Sequence, residues 1–101
     1  MKKIEAVIQP FKLEEVKEAL VGAGAEGITS PRYVAMASEY SVDLLPKVKL
    51  ELFLPDSRVE EIIGVLGAAA KSGKIGDGKI FVSSIEDAIR IRNGERGESA
   101  I

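Results

Sequence analysis

The chain has 101 residues, 46% hydrophobic and 30% charged, with 14 basic side chains against 16 acidic ones and a formal net charge of −2. That length suits one globular domain burying about 60–65% of the surface its unfolded chain exposes, and the balanced charge argues against a nucleic-acid partner held through its phosphate backbone. Neither Cys nor His is present, which excludes disulfides, thiolate metal sites, cysteine nucleophiles and the commonest general base.

In chain order, Ile4, Ala6 and Ile8 alternate with Glu5, Val7 and Gln9, a period of two that predicts a strand over Ile4–Ile8. Pro10 ends it. Leu13, Val16, Ala19 and Leu20 then recur at helical spacing, with Glu14, Glu15, Lys17 and Glu18 outside, so a helix is expected over about Leu13–Ala23, stopped by Gly22 and Gly24. A second strand is expected through Ile28–Val34. Lys47–Leu54 reads as a third, with Leu50, Leu52 and Leu54 on one face. After the Pro55-Asp56 turn, with Asp56 or Ser57 as the expected N-cap, the stripe Val59, Ile62, Ile63, Leu66 and Ala70 predicts a helix over about Val59–Ser72. Ile80–Ser83 is the closing strand. Ile85 to Ala88 reads as a short helical turn, Ile89–Arg92 as one more short strand, and Asn93-Gly94 as a turn.

The two halves repeat one pattern. Shifted by about 46 positions, Lys3–Ile8 falls on Lys49–Leu54, and Leu13-Glu14-Glu15-Val16 falls on Val59-Glu60-Glu61-Ile62. Two βαβ units side by side give an α+β, ferredoxin-like βαββαβ fold, a four-stranded antiparallel sheet with both helices on one face. The other face carries Val7 and Phe53, so a further subunit is expected to cover it. No run approaches the roughly 20 apolar residues of a membrane span, and Glu5 follows Met1-Lys2-Lys3 before any apolar signal core. The expectation is a cytoplasmic protein without membrane insertion.

One stretch carries chemistry. Ser72-Gly73-Lys74-Ile75-Gly76-Asp77-Gly78-Lys79-Ile80 places three glycines and two lysines within seven positions. It fits G-x-x-x-x-G-K, but Ile80 stands where a P-loop has Ser or Thr, and the loop leads from helix to strand rather than strand to helix. A P-loop NTPase is therefore rejected. What survives is a weaker logic, in which glycines let backbone N–H groups converge on an anion and a lysine adds charge; a helix end followed by a tight turn is the competing reading. In Ile89-Arg90-Ile91-Arg92, both arginines would project from one side of an extended strand, about 7 Å apart, a spacing suited to phosphates or carboxylates. A solvated edge strand would look the same.

Taken together these residues resemble the PII nitrogen-regulatory signalling family. Gly73–Val82 is similar to its nucleotide-binding B-loop, and Ile89-Arg90-Ile91-Arg92-Asn93-Gly94-Glu95 to its C-loop. The opening Met1–Leu13 resembles its first strand and turn. Glu39-Tyr40, Val42-Asp43 and Leu45-Pro46-Lys47-Val48-Lys49 resemble the segment descending from its T-loop. The resemblance covers nearly the whole chain and implies one domain over 1–101, with the T-loop at 30–46, the B-loop at 72–80 and the C-loop at 89–95.

It further implies a homotrimer that binds ATP or ADP between subunits, senses 2-oxoglutarate beside the nucleotide with Mg²⁺, and signals to a regulatory protein partner such as a transporter or metabolic enzyme. By position, Gly76, Asp77, Gly78 and Lys79 would hold phosphates, with Arg90, Ile91 and Arg92 reaching the same site. Thr29, Glu51 and Phe53 would line the nucleobase pocket, with Val7 nearby. Lys47 matches the lysine that pairs with 2-oxoglutarate, and Tyr40 a tyrosine that some members modify. Between Thr29 and Glu39 only nine residues stand where the family has about twenty, and its metal-ligating glutamine has no counterpart. Two readings stay open: a nucleotide-dependent regulator of nitrogen metabolism, or a PII-like scaffold whose short loop has lost 2-oxoglutarate sensing and partner regulation. A small ATPase is a third class, disfavoured because no activated base is evident.

Overall fold

In the computed structural model, which describes residues 1–28, 32–38 and 41–101, the chain runs β1 (Lys2–Ile8), α1 (Leu13–Gly22), β2 (Arg32–Ser38), β3 (Ser41–Leu54), α2 (Val59–Ala70) and β4 (Gly78–Ser84). The four strands form one sheet in the order β2-β3-β1-β4, antiparallel at each pairing. This is the ferredoxin-like arrangement that the doubled strand–helix pattern predicts.

The alternation in the strands decides what is buried. Ile4, Ala6 and Ile8 of β1 and Val48, Leu50, Leu52 and Leu54 of β3 pack with Val16 and Leu20 of α1 and with Val59, Ile62 and Leu66 of α2. Ten of these side chains are fully buried, and each Leu or Ile removed from water stabilises the fold by roughly 1.5–3 kcal/mol. The helices are bracketed together at their ends. Arg58, just before α2, donates to the carbonyls of Ala23 and Gly24 at 2.6 and 3.1 Å, where α1 leaves acceptors unpaired.

Four local expectations are corrected. Ile28 lies outside any strand, and β2 begins at Arg32: Gly24 and Gly27 both turn at positive φ, and Ile28 packs its side chain on the core instead of joining the ladder. β3 starts six residues earlier than Lys47, at Ser41, so its first half pairs with β2 alone beyond the end of β1. Asp56 is not the cap of α2. It opens a 3-10 turn and receives the Met1 ammonium at 2.8 Å, which holds its carboxyl below the usual range.

The tail is the fourth correction. Residues 85–88 are not helical, and Ile89–Arg92 is not a strand. Ile89 makes a single bridge to Arg96, and the Gly94 N–H donates to the Arg90 carbonyl at 2.8 Å. Asn93-Gly94, with Gly94 at φ +74°, turns the chain back before a ladder can form.

Candidate functional site

The loop between α2 and β4 is shaped by contacts that only glycine permits. Gly78 lies opposite Ile8 in the β1–β4 ladder at φ +106°, and a Cβ there would stand 1.8 Å from the Val7 carbonyl oxygen. Gly76, at φ +93°, would bring a Cβ to 3.1 Å from Gln9 Nε2 and 3.6 Å from Lys47 Nζ. Positive φ is open to glycine and strained for other residues.

Asp77 folds the loop from within. Its carboxylate accepts the backbone N–H groups of Ser72 and Gly73, both at 2.9 Å, and the Ser72 hydroxyl. The Ser72 oxygen accepts the Lys74 N–H at 3.2 Å. The Ser72 hydroxyl bond, joined by the two backbone bonds, holds the Asp77 carboxyl below its ordinary value. The Asp77 carboxylate thus accepts its hydrogen bonds from the loop itself.

Beside this loop opens a cleft of about 370 Å³, lined by Val7, Met36, Lys47 and the loop from Gly73 to Lys79. Val7, Met36, Lys47 and Lys79 share the sheet face opposite the helices, as their register requires. Lys47 is only 4% exposed, and its ammonium donates to the Gly76 carbonyl at 2.5 Å. It therefore ties β3 to the glycine loop. With Lys74 and Lys79 it sets three lysines around a concave wall whose one acidic residue, Asp77, is engaged internally. Such a surface suits a ligand with concentrated negative charge.

Glu51, Phe53, Arg90, Ile91 and Arg92 do not line this cleft. Glu51 sits mid-face in a cluster with Lys3, Glu5 and Lys49: Lys3–Glu5 2.8 Å, Lys3–Glu51 3.8 Å, Lys49–Glu5 3.6 Å and Lys49–Glu51 3.7 Å. The hydrogen bond between Lys3 and Glu5 raises the lysine pKa and lowers that of the glutamate. Phe53 lies near the far end of the sheet, opposite Lys3, and lines a second cleft with Gly27, Ile85, Ala88, Ala100 and Ile101. Lys3 to Val7 is four strand residues, about 13 Å.

In the tail, Arg90 donates to Glu95 Oε2 at 3.0 Å and to the Ser99 carbonyl at 2.7 Å. Ile91 is 99% exposed in the turn, and Arg92 is exposed in the same turn, so the two arginines do not share one face of a strand. Thr29 and Tyr40 lie outside the described residues.

Sequence reasoning missed Met36 and Gln9 beside the glycine loop, and Asp87, Glu95 and Ser99 as organisers of the tail. Asp87 receives Arg96 Nε at 2.8 Å and the Gly97 N–H at 3.2 Å. No short motif marks these residues, although a carboxylate five positions after Arg90 across Asn93-Gly94 is a usable sign. Mg²⁺ held by a carboxylate cluster does not fit: among the described residues no three potential ligands converge.

The profile "Nitrogen regulatory protein P-II" matches residues 1–95. Nitrogen regulatory proteins P-II from Rhodobacter capsulatus and Rhodospirillum rubrum are 53% and 54% identical to this chain, each over 112 aligned positions covering all of both chains. That from Nostoc punctiforme is 46% identical over 114 positions, again covering all of both. The crystal structure of Arabidopsis thaliana PII bound to citrate is similar at a TM-score of 0.86 and 38% identity, covering 98% of this chain and 87% of that one. The chain belongs to the nitrogen regulatory protein P-II family, the signal-transduction regulators of nitrogen metabolism.

Proposed function

We propose that this chain is an ATP- and ADP-binding homotrimer that regulates partner proteins according to the nucleotide it holds, and that it is not an enzyme. The observation carrying this reading is the division of the expected binding residues into two groups. The first is Val7, Lys47 and Gly76–Lys79 at the glycine loop; the second is Phe53, about 13 Å away along the sheet, with Arg90 and Arg92 in the tail whose Ala100 and Ile101 line the Phe53 cleft. Within one chain the two groups line separate clefts, and a neighbouring chain that sets its tail half against the loop half would join them into one site. A closed ring of identical chains does this for every copy. The glycine loop then takes phosphate through Lys79 and backbone N–H groups, Arg90 and Arg92 complete the charge, and Phe53 with Glu51 and Thr29 bounds the base. In family terms, 30–46 is the T-loop, 72–80 the B-loop and 89–95 the C-loop. No described helix is long and apolar enough to cross a membrane; a cytoplasmic place, with a transporter or metabolic enzyme as partner, accords with this reading.

Complementation tests it. Chains carrying Lys79→Ala and Arg90→Ala should each bind ATP weakly. An equimolar mixture reassembled from unfolded chains should regain tight binding in about one quarter of its sites, the fraction pairing an intact loop with an intact tail. No recovery would place both residues in one chain's site, or in none.

The second reading, a scaffold that has lost 2-oxoglutarate sensing, is favoured by length. The alignments with the relatives run to 112 positions while this chain has 101 residues, so at least 11 positions have no counterpart here. Only residues 39–40 separate β2 from β3. A dicarboxylate beside a triphosphate needs its charge compensated, and Lys47 supplies one charge. Coupling between 2-oxoglutarate and ATP should stay below about 1 kcal/mol, against 1–3 for typical allosteric pairs. Calorimetric titration of ATP with and without 2-oxoglutarate decides it; tenfold tightening of ATP by 2-oxoglutarate would refute the scaffold reading.

A further inference from the structure

The tail half of the site is already engaged by the chain itself. Arg90 meets the Glu95 carboxylate at 3.0 Å, and its second guanidinium nitrogen meets the Ser99 carbonyl at 2.7 Å. The Ser99 bond fixes the short 3-10 turn Gly97–Ala100. That turn lays Ala100 and Ile101 along the cleft walled by Phe53, Gly27 and Ile85. Two further restraints hold the tail doubled back. The Gly97 N–H donates to the Ala88 carbonyl at 3.0 Å, and Arg96 pairs with Asp87 at 2.7 Å. The chain thus places a carboxylate on the guanidinium and an aliphatic side chain by the aromatic wall. A nucleotide would present the same two chemistries, phosphate and base, to the same two places.

We infer that residues 95–101 are an intramolecular occupant of the tail half-site, with Glu95 holding Arg90 and the Gly97–Ala100 turn keeping Ile101 by Phe53 until a nucleotide displaces both. The inference rests on the nucleotide-binding reading above. The Arg90–Glu95 pair is solvent-accessible, its side chains 37% and 47% exposed, and exposed pairs are weak. A polyphosphate brings several charges against one carboxylate and therefore wins the guanidinium. Once Arg90 turns away, the Ser99 carbonyl loses its donor and the turn over Phe53 is released. The device keeps the tail half closed to small monoanions and opens it to polyphosphates.

The test is calorimetric titration of the full chain with ATP, alongside Glu95→Gln, Glu98→Gln, Lys79→Ala and a chain lacking residues 99–101. Glu95→Gln and the shortened chain should each bind ATP about threefold or more tighter, because the competitor is gone. Glu98→Gln removes the same charge from the same tail, and Glu98 makes no ion pair among the described residues; it should change affinity by less than about 1.5-fold. Amide exchange gives an independent readout: saturating ATP should speed exchange at Gly97 and Ile101 about tenfold. Tight ATP binding that Lys79→Ala weakens, with Glu95→Gln unchanged or weaker, would overturn the inference and leave the nucleotide reading standing. A parent chain that binds no ATP would overturn both.

Discussion

The glycine-loop cleft and the Phe53 cleft occupy the same sheet face but are built from different materials. The first is held by steric necessity and a buried lysine: Gly78 against the Val7 carbonyl, and Lys47 on the Gly76 carbonyl. The second is held by solvent-accessible pairs, Arg90–Glu95 and Arg96–Asp87. A wall fixed by backbone contact is preorganised and stiff, whereas one fixed by exposed ion pairs rearranges at little cost. A switch needs both kinds, one surface that positions the ligand and another that changes on its arrival.

The sharpest way to break this comparison is at glycine. Gly78→Ala drives a methyl group into a backbone oxygen that cannot move without parting β1 from β4, on top of a strained φ. It should destabilise the fold by about 3 kcal/mol or more and abolish ATP binding. Gly73→Ala meets nothing within 4 Å and carries only the strain of φ +83°, so about 1 kcal/mol is expected. Urea unfolding midpoints of the two variants measure the difference; equal losses would show that backbone contact does not set this loop.

Removing charge should separate the halves next. Lys79→Ala or Arg90→Ala should weaken ATP by roughly 1.5–3 kcal/mol, the range for charge-assisted hydrogen bonds. Lys47→Met should differ in kind. It strips the Gly76 carbonyl of its buried donor, so it should lower stability by about 1–3 kcal/mol besides weakening ATP. Arg90→Ala removes only exposed bonds and should leave thermal stability within about 0.5 kcal/mol. Thermal melts paired with titrations check this. An Arg90→Ala chain as unstable as Lys47→Met would mean the tail is as stiff as the loop.

The same contrast explains what the sequence could disclose. β1, β3 and both helices were legible because one face of each is buried in a common core, which imposes periods of two and 3.6 from Ile4 to Leu66. The glycine loop was legible as a motif, since positive φ restricts the choice of residue. The start of β2 is not legible, because the chain between Gly24 and Ile28 is governed by turn geometry and by packing of Ile28, neither of which has a period. The tail departs from its pattern because Ile89-Arg90-Ile91-Arg92 alternates as a strand would, yet among the described residues no strand pairs with it. The fold of that segment depends on Asp87, Glu95 and Ser99, partners set by a turn rather than by spacing. Asp77 shows the limit of a motif: the glycine pattern marks the loop, whereas the part Asp77 plays in its shape follows from the Ser72 and Gly73 bonds.

The smallest expected effect, and the finest discriminator between the halves, is acid titration. Asp77 and Asp87 both have carboxyls held below the ordinary aspartate value of 3.8. A carboxyl depressed in the folded state contributes stability that is present above its unfolded value and lost as pH falls through its folded value. Neither residue should therefore give any pH dependence near neutrality, and both local structures should loosen only below about pH 4. The causes differ. Asp77 is lowered first by the Ser72 hydroxyl and then by backbone N–H groups, neutral donors at short range that salt does not screen, with the Lys12 charge as the smallest contribution. Asp87 is lowered first by the Arg96 guanidinium, an exposed ion pair that salt weakens. Raising ionic strength to about 0.5 M should move the Asp87 midpoint up towards its ordinary value and move that of Asp77 much less. Following the Gly73 and Gly97 amide signals by NMR as the pH is lowered, at low and high salt, reads the two carboxylates separately, because each amide donates to one of them. Midpoints that shift together would show that the loop and the tail are held by the same electrostatics, and the division between a stiff half and an adjustable half would fall.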